Sequence, residues 1–152
     1  MGPGGQSAGD RMTSSTTQLL VEDNPDDAAL TEMALRETTA RLEVAASAQE
    51  ALDYLFNNMD VAPAVVLLDL RLPDADGLEV LRRIRANDRT SLIPVVILTS
   101  SMVPDDVTSA YRAGASSFVR KPIEFEQFKD LVRQIATYWL AANQPPSSSG
   151  WA

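Results

Sequence analysis

The stretch AVVLLDLRLPDADG, residues 64–77, decides how the rest of the chain is read. Ala64-Val65-Val66-Leu67-Leu68 is apolar without alternation, the pattern of a strand buried on both faces. The run stops on Asp69, and a loop with Pro73 and Gly77 follows. Asp76 and Glu79 then cap a helix whose Val80, Leu81 and Ile84 make a buried stripe against Arg82, Arg83 and Arg85. A strand of this kind needs parallel neighbours and helices on both faces.

Working outward, the chain supplies them. Gln18-Leu19-Leu20-Val21 predicts a short buried strand, and Pro25 opens a helix with Leu30, Met33, Ala34 and Glu37 at helical spacing. Arg41-Leu42-Glu43-Val44-Ala45 alternates like a second strand. Ser47 and Glu50 form a capping box that starts a helix running to about Leu55. Beyond the central unit, Pro94-Val95-Val96-Ile97-Leu98 is a fourth strand leading into Thr99-Ser100-Ser101. Pro104, Asp105 and Asp106 begin a fourth helix that stops at Gly114. Ser116-Ser117-Phe118-Val119 is a fifth strand entering Arg120-Lys121-Pro122, and a last helix spans about Glu124 to Ala141. Five strands alternating with five helices predict an α/β fold, a doubly wound five-stranded parallel sheet in the order 2-1-3-4-5. The folded unit is residues 17–142. The Gly-rich 1–16 and the Pro/Ser-rich 143–152 read as flexible tails.

Composition narrows the chemistry. The 152 residues contain no Cys and no His, with 13 Lys+Arg against 21 Asp+Glu and a net charge of −8. Thiol nucleophiles, redox pairs, imidazole bases and His-liganded metals are therefore excluded. The acidic balance argues against nucleic acid as a partner, because phosphate contacts need a basic face. No stretch approaches the ~20 apolar residues that span a bilayer, so no membrane role is expected. What remains is carboxylates, hydroxyls, backbone amides and the two lysines, Lys121 and Lys129.

In an open α/β sheet the site lies beyond the carboxyl ends of the strands. There the first strand ends in Glu22-Asp23, the third in Asp69, the fourth in Thr99 and the fifth in Lys121. Converging carboxylates repel, and either protonation of one or capture of a hard divalent cation relieves them. Oxygen ligands without imidazole select Mg²⁺, with Mn²⁺ as a substitute. A carboxylate beside such an ion, facing a hydroxyl and an ammonium, suits a phosphoryl group, with Asp69 as the nucleophile.

The set Val21-Glu22-Asp23-Asn24, Leu67-Leu68-Asp69-Leu70-Arg71-Leu72-Pro73 through Gly77, Leu98-Thr99-Ser100, and Gly114-Ala115 through Lys121-Pro122 resembles the receiver domain of bacterial response regulators, across nearly the whole folded unit. The resemblance implies a flavodoxin-like receiver fold in which Asp69 accepts a phosphoryl group from the phosphohistidine of a sensor histidine kinase. Asp23, Asp69 and the backbone carbonyl of Arg71 would hold Mg²⁺, with Glu22 joining directly or through water. Thr99, Ser100 and Lys121 would contact the phosphoryl oxygens. Thr99 would be coupled to the aromatic at Phe118, which keeps the ring of the more common tyrosine and loses its phenol. Pro122 would be structural and preceded by a cis bond, a form that only ~5–6% of X-Pro bonds adopt in folded proteins. Such a chain is a cytoplasmic phosphoacceptor that assists its own phosphorylation and dephosphorylation, not an enzyme acting on other substrates. The start Asp23-Asn24-Pro25-Asp26-Asp27 and the ending Tyr138-Trp139-Leu140 further resemble stand-alone receivers that partner phytochrome-type kinases, which points to a bacteriophytochrome.

Other acids have simpler explanations. Asp26, Asp27, Asp105 and Asp106 lie in first helical turns, where they favour the helix dipole; Asp74 and Asp76 serve turn and cap. On the last helix, Phe125, Phe128, Leu131, Val132, Ile135, Tyr138, Trp139 and Leu140 cover an arc of ~200°, against the ~100° that facing one core requires. The excess predicts either partial cover by the C-terminal tail or, as the favoured reading, a homodimer through helix 4, strand 5 and helix 5, with Leu131, Tyr138 and Trp139 in the contact.

Three competing functions are weighed by single residues. An aspartate-nucleophile phosphohydrolase needs a second Asp two positions after the first, where this chain has Arg71. A nucleotide binder would not place Glu22-Asp23-Asn24-Pro25-Asp26-Asp27 in its phosphate loop. The remaining alternative is a non-phosphorylated pseudo-receiver serving as an interaction or dimerisation module.

Overall fold

In the computed structural model the described residues are 16–57 and 61–146. Residues 1–15 and 147–152 of the two expected tails lie outside them. The elements alternate without exception: β1 (Thr17–Val21), α1 (Pro25–Leu35), β2 (Arg41–Ala45), α2 (Ala48–Asn57), β3 (Val65–Leu68), α3 (Gly77–Ala86), β4 (Val95–Thr99), α4 (Pro104–Ala113), β5 (Ser117–Arg120) and α5 (Phe125–Thr137), which continues into a π-helical segment, Tyr138–Ala142.

The five strands form one parallel sheet in the order β2-β1-β3-β4-β5, as the alternation predicts. Leu19 and Val21 of β1 face one side with Val66, Leu68, Val95 and Ile97, under α2, α3 and α4. Leu20 faces the other with Val65, Leu67, Val96 and Leu98, under α1 and α5. β3 and β4 are buried along their whole length. Each such Val or Leu removed from water contributes about 1.5–3 kcal/mol, so the two central strands anchor the site at their ends. Gln18 departs from this pattern: it is fully buried in β1, and neither amide atom has a hydrogen-bond partner among the described residues.

Local signals explain the helix starts. Asn24 Oδ1 accepts from the N–H groups of Asp26 and Asp27 at the head of α1, and Asp76 Oδ1 accepts from Leu78 N–H at the head of α3. Ser47 Oγ accepts from Glu50 N–H, as a capping box requires, but Glu50 Oε1 reaches back to Ala46 N–H rather than to Ser47. Gly114 ends α4 at φ 108°, the left-handed region open to glycine.

Two expectations are corrected. The Lys121–Pro122 bond is trans, as is every peptide bond among the described residues; trans is the default for X-Pro, and nothing local to the sequence forces the change. The last α-helix does not run to Ala141. It ends at Thr137 and widens into the π-helical turn, closed by Asn143 N–H donating to Tyr138 O at 2.6 Å. Trp139 and Leu140 in this turn both pack on the α1/α5 core.

Candidate functional site

Parallel strands place all five carboxyl ends at one edge, and the charged residues that follow them meet there. Asp69, the residue after β3, is 7% exposed. Its Oδ1 accepts from Arg71 N–H at 3.1 Å and from Thr99 Oγ1 at 3.1 Å, and its Oδ2 accepts from Lys121 Nζ at 2.8 Å. Thr99 is the last residue of β4, one position later than the sequence pattern ends that strand, so it is fully buried with its hydroxyl directed at Asp69.

Lys121 is the centre of the cluster. Its ammonium donates to Glu22 Oε1, to Asp27 Oδ2 at 2.9 Å and to Asp69 Oδ2, with only 9% of the side chain exposed. Burial would pull this lysine down, but the hydrogen bonds to Asp69, Glu22 and Asp27 outweigh it and hold its pKa above the ordinary lysine value. Glu22 is 3% exposed, and burial pushes its carboxyl up to about 7 even though Lys121 works in the opposite direction. The repulsion expected among strand-end carboxylates is therefore relieved by an ammonium in their midst.

The acidic partners differ from those the sequence suggests. Glu22 and Asp69 come together, but the third carboxylate is Asp27 rather than Asp23. Asp23 and Ser100 are exposed at the rim, and the cluster's contacts among the described residues include neither. Arg71 is also exposed, and only its backbone reaches Asp69. Phe118 is half-buried in the core beneath α4, level with Ile97 of β4 and on the same sheet face as Thr99. Pro122 is half-buried behind Lys121.

Several working residues escaped the sequence reading. Asp27 is a first-turn acid that also binds Lys121, and its position one turn after Asp23 was the available signal. Asp74, expected as a turn residue, caps a helix: its carboxylate accepts from Ala48 N–H at 2.9 Å and Gln49 N–H at 3.0 Å at the head of α2. Those two amides hold it below the usual carboxylate range. Ser101 Oγ binds Asp106 of α4, while Ser101 N–H donates to Thr99 Oγ1 at 3.3 Å, which joins the β4–α4 loop to the site.

Gly77 fixes the floor. A Cβ there would stand 2.3 Å from the carbonyl oxygen of Asp69 and 2.8 Å from Leu70 Cα. Only glycine lets the start of α3 approach the backbone of Asp69 so closely.

The carboxylates at this edge suit a hard divalent cation, and the chain has no thiolate or imidazole to favour a softer one. Among the described residues no three acidic side chains are already grouped to hold a metal ion. Lys121 occupies the space between Glu22, Asp27 and Asp69.

Comparison with known proteins agrees with this fold. Residues 19–133 match the family model described as the response regulator receiver domain. The probable methanogenesis regulatory protein FilR2 of Methanothrix harundinacea is 43% identical over 133 residues, which cover 84% of this chain and 86% of that protein. Among solved structures, the phosphorylated cyanobacterial phytochrome response regulator RcpA is 33% identical with a TM-score of 0.81, covering 86% of this chain and 98% of its own. The Mn²⁺-bound form of response regulator Rcp1, a protein of Synechocystis sp. (strain ATCC 27184 / PCC 6803 / Kazusa), is 32% identical with a TM-score of 0.79, again over 86% and 98%.

Proposed function

The chain belongs to the response regulator receiver domain family, and from that premise we propose that it is a single-domain phosphoacceptor switch in a two-component system. Asp69 takes a phosphoryl group from the phosphohistidine of a sensor histidine kinase, and the acyl phosphate alters the surface around β4, β5, α4 and α5. The observation that carries this reading is the setting of Asp69. It is a buried carboxylate at the end of a central strand, met by the Arg71 N–H, the Thr99 hydroxyl and the Lys121 ammonium. Those three donors can serve the oxygens of an attached phosphoryl group as well as they serve the carboxylate.

Glu22, Asp23, Asp69 and the Arg71 carbonyl are the proposed holders of Mg²⁺, with Mn²⁺ as a substitute; the Mn²⁺ in the Rcp1 structure supports a divalent ion. When bound, the ion supplies positive charge against the phosphoryl oxygens. The chain does the rest. Lys121 and Thr99, with Ser100 at the rim, orient the phosphoryl group, and the burial of Asp69 limits water. Thr99 and Phe118 share one sheet face as the proposed switch pair, with Phe118 contributing ring packing and no hydrogen bond. Pro122 braces the loop behind Lys121.

The unit that performs this is residues 17–142, acting in the cytoplasm as a phosphoacceptor rather than an enzyme. FilR2, matched over 86% of its length, is named as a probable regulatory protein, which supports a regulatory role. RcpA is named as a phytochrome response regulator, which supports a phytochrome-type kinase, a bacteriophytochrome, as the partner. Tyr138 is half exposed, and Leu131 and Trp139 are only partly covered, which supports a homodimer through α4, β5 and α5.

The test is intact mass after incubation with Mg²⁺ and acetyl phosphate, on the native chain and on Asp69→Asn. One added phosphoryl group, absent in the variant, is expected. No gain, together with no binding of beryllofluoride, would leave the pseudo-receiver in its place.

A further inference from the structure

Lys121 spends all three of its ammonium N–H groups inside the site, on Glu22, Asp27 and Asp69. The proposed function gives two of these acceptors other work, since Asp69 receives the phosphoryl group and Glu22 faces the cation. Asp27 has no such duty. Its backbone N–H donates to Asn24 Oδ1 at 3.3 Å and its carbonyl accepts from Thr31 Oγ1 at 2.8 Å, so the first turn of α1 fixes where its carboxylate stands. Asp26 provides a natural comparison. It carries the same charge and is tied to the same Asn24 oxygen, yet it is exposed and is not among the acceptors of Lys121.

We infer that Asp27 is a positioning residue for phosphoryl uptake: it keeps its bond to the Lys121 ammonium while the bonds to Asp69 and Glu22 are exchanged. This rests on the phosphoacceptor reading. With acetyl phosphate as donor, an Asp69 carboxylate oxygen forms a bond to phosphorus as the bond from phosphorus to the acetate oxygen breaks, and that electron pair leaves with acetate. No proton leaves Lys121. One of its hydrogen bonds passes from Asp69 to a phosphoryl oxygen, and the lysine turns about Asp27 instead of swinging free. Glu22 and Asp69 set the charge of the site, and Asp27 sets the place of the cation that answers it.

The experiment compares the native chain, Asp27→Asn, Asp27→Ala and Asp26→Asn. Uptake from acetyl phosphate with Mg²⁺ is followed by intact mass. The Lys121 ammonium is followed by ¹⁵N-lysine NMR, where two lysines give two signals and Lys129→Arg assigns them. Loss of a partly solvated charge-assisted hydrogen bond should slow uptake about three- to tenfold in both Asp27 variants, against less than about twofold in Asp26→Asn. Before any donor is added, proton exchange from the Lys121 ammonium should quicken in the Asp27 variants alone, which a general role at the helix start would not produce. Equal behaviour of Asp27→Asn and Asp26→Asn, whether both slow or both native-like, overturns the inference. A native chain that gains no phosphoryl group and binds no beryllofluoride overturns the phosphoacceptor reading and the inference with it, whereas a phosphorylated native chain matched by its Asp27 variants overturns the inference alone.

Discussion

Lys121 Nζ and Asp69 Oδ2 lie 2.8 Å apart, joined across the sheet edge from the end of β5 to the end of β3, with β4 between them. The same ammonium binds Glu22 and Asp27. One cation thus holds together three carboxylates, from the end of β1, the first turn of α1 and the end of β3, and the stability of the site and the placement of Asp69 depend on the same group.

Lys121→Met removes that cation and leaves the carboxylates facing one another. Breaking a buried pair costs ~3–5 kcal/mol, and partial solvation of Asp27 and protonation of Glu22 reduce this to about 1–3 kcal/mol. Millimolar Mg²⁺ should restore more stability to the variant than it adds to the native chain. Urea midpoints with and without Mg²⁺ measure both effects, and an unshifted midpoint in the variant would refute the prediction.

Glu22 gives the acid-side behaviour a definite sign. Its carboxyl rises from 4.5 to about 7 on folding because it is buried. Between those values the folded chain holds a proton that the unfolded chain has released. The associated stability is complete below pH 4.5 and is lost as pH rises through about 7. Glu22→Gln cannot titrate there. In a chelator, the stability of the native chain relative to this variant should fall across that window; a constant difference would count against the buried, proton-holding Glu22.

Gly77→Ala drives a methyl group into backbone that has no rotamer to escape by, with the Asp69 carbonyl oxygen 2.3 Å from the new atom. Overpacking of this kind costs about 1–3 kcal/mol, and here it also displaces Asp69. A lowered thermal midpoint and slower uptake from acetyl phosphate are expected together. Native-like values for both would show that the floor of the site yields more easily than its geometry implies.

Arg85→Lys tests the clamp at the far end of α3. The guanidinium donates to the carbonyls of Gly114 at 2.8 Å, Ser91 at 3.1 Å and Ile93 at 2.7 Å, tying α3 to the segments that lead into β4 and β5. A lysine cannot span all three, and at ~0.5–1.5 kcal/mol for each lost bond the variant should be less stable by about 1–3 kcal/mol. Denaturant midpoints read this directly, and equality with the native chain would reject it.

The sheet was legible because burial on both faces leaves a strong mark. Val65–Leu68 and Val95–Thr99 are nearly unbroken apolar runs, and Thr99, which ends the second, meets Asp69, the residue that follows the first. Strand order followed from alternation and handedness. The missing parts depend on contacts distant in sequence. Asp27 reads as an ordinary first-turn acid until the end of β5 is placed beside it, and Asp74 reads as a turn residue until the head of α2 is brought to it. The widened turn at Tyr138–Ala142 left no mark that α-helical spacing could detect, because Tyr138, Trp139 and Leu140 fit an apolar helical arc equally well.

Asp74 also decides how this chain can be recombined with others. The loop after Asp69 closes on itself through the Arg71–Asp76 bridge, yet its middle residue serves as the missing first-turn acceptor of a helix more than twenty positions upstream. A chimera that takes the loop from one parent and α2 from another strands two amides at the helix head and frees the loop from its anchor. The two segments are therefore inherited as one block, and crossover points for exchanging this loop between such chains belong before Ala48 or after Gly77.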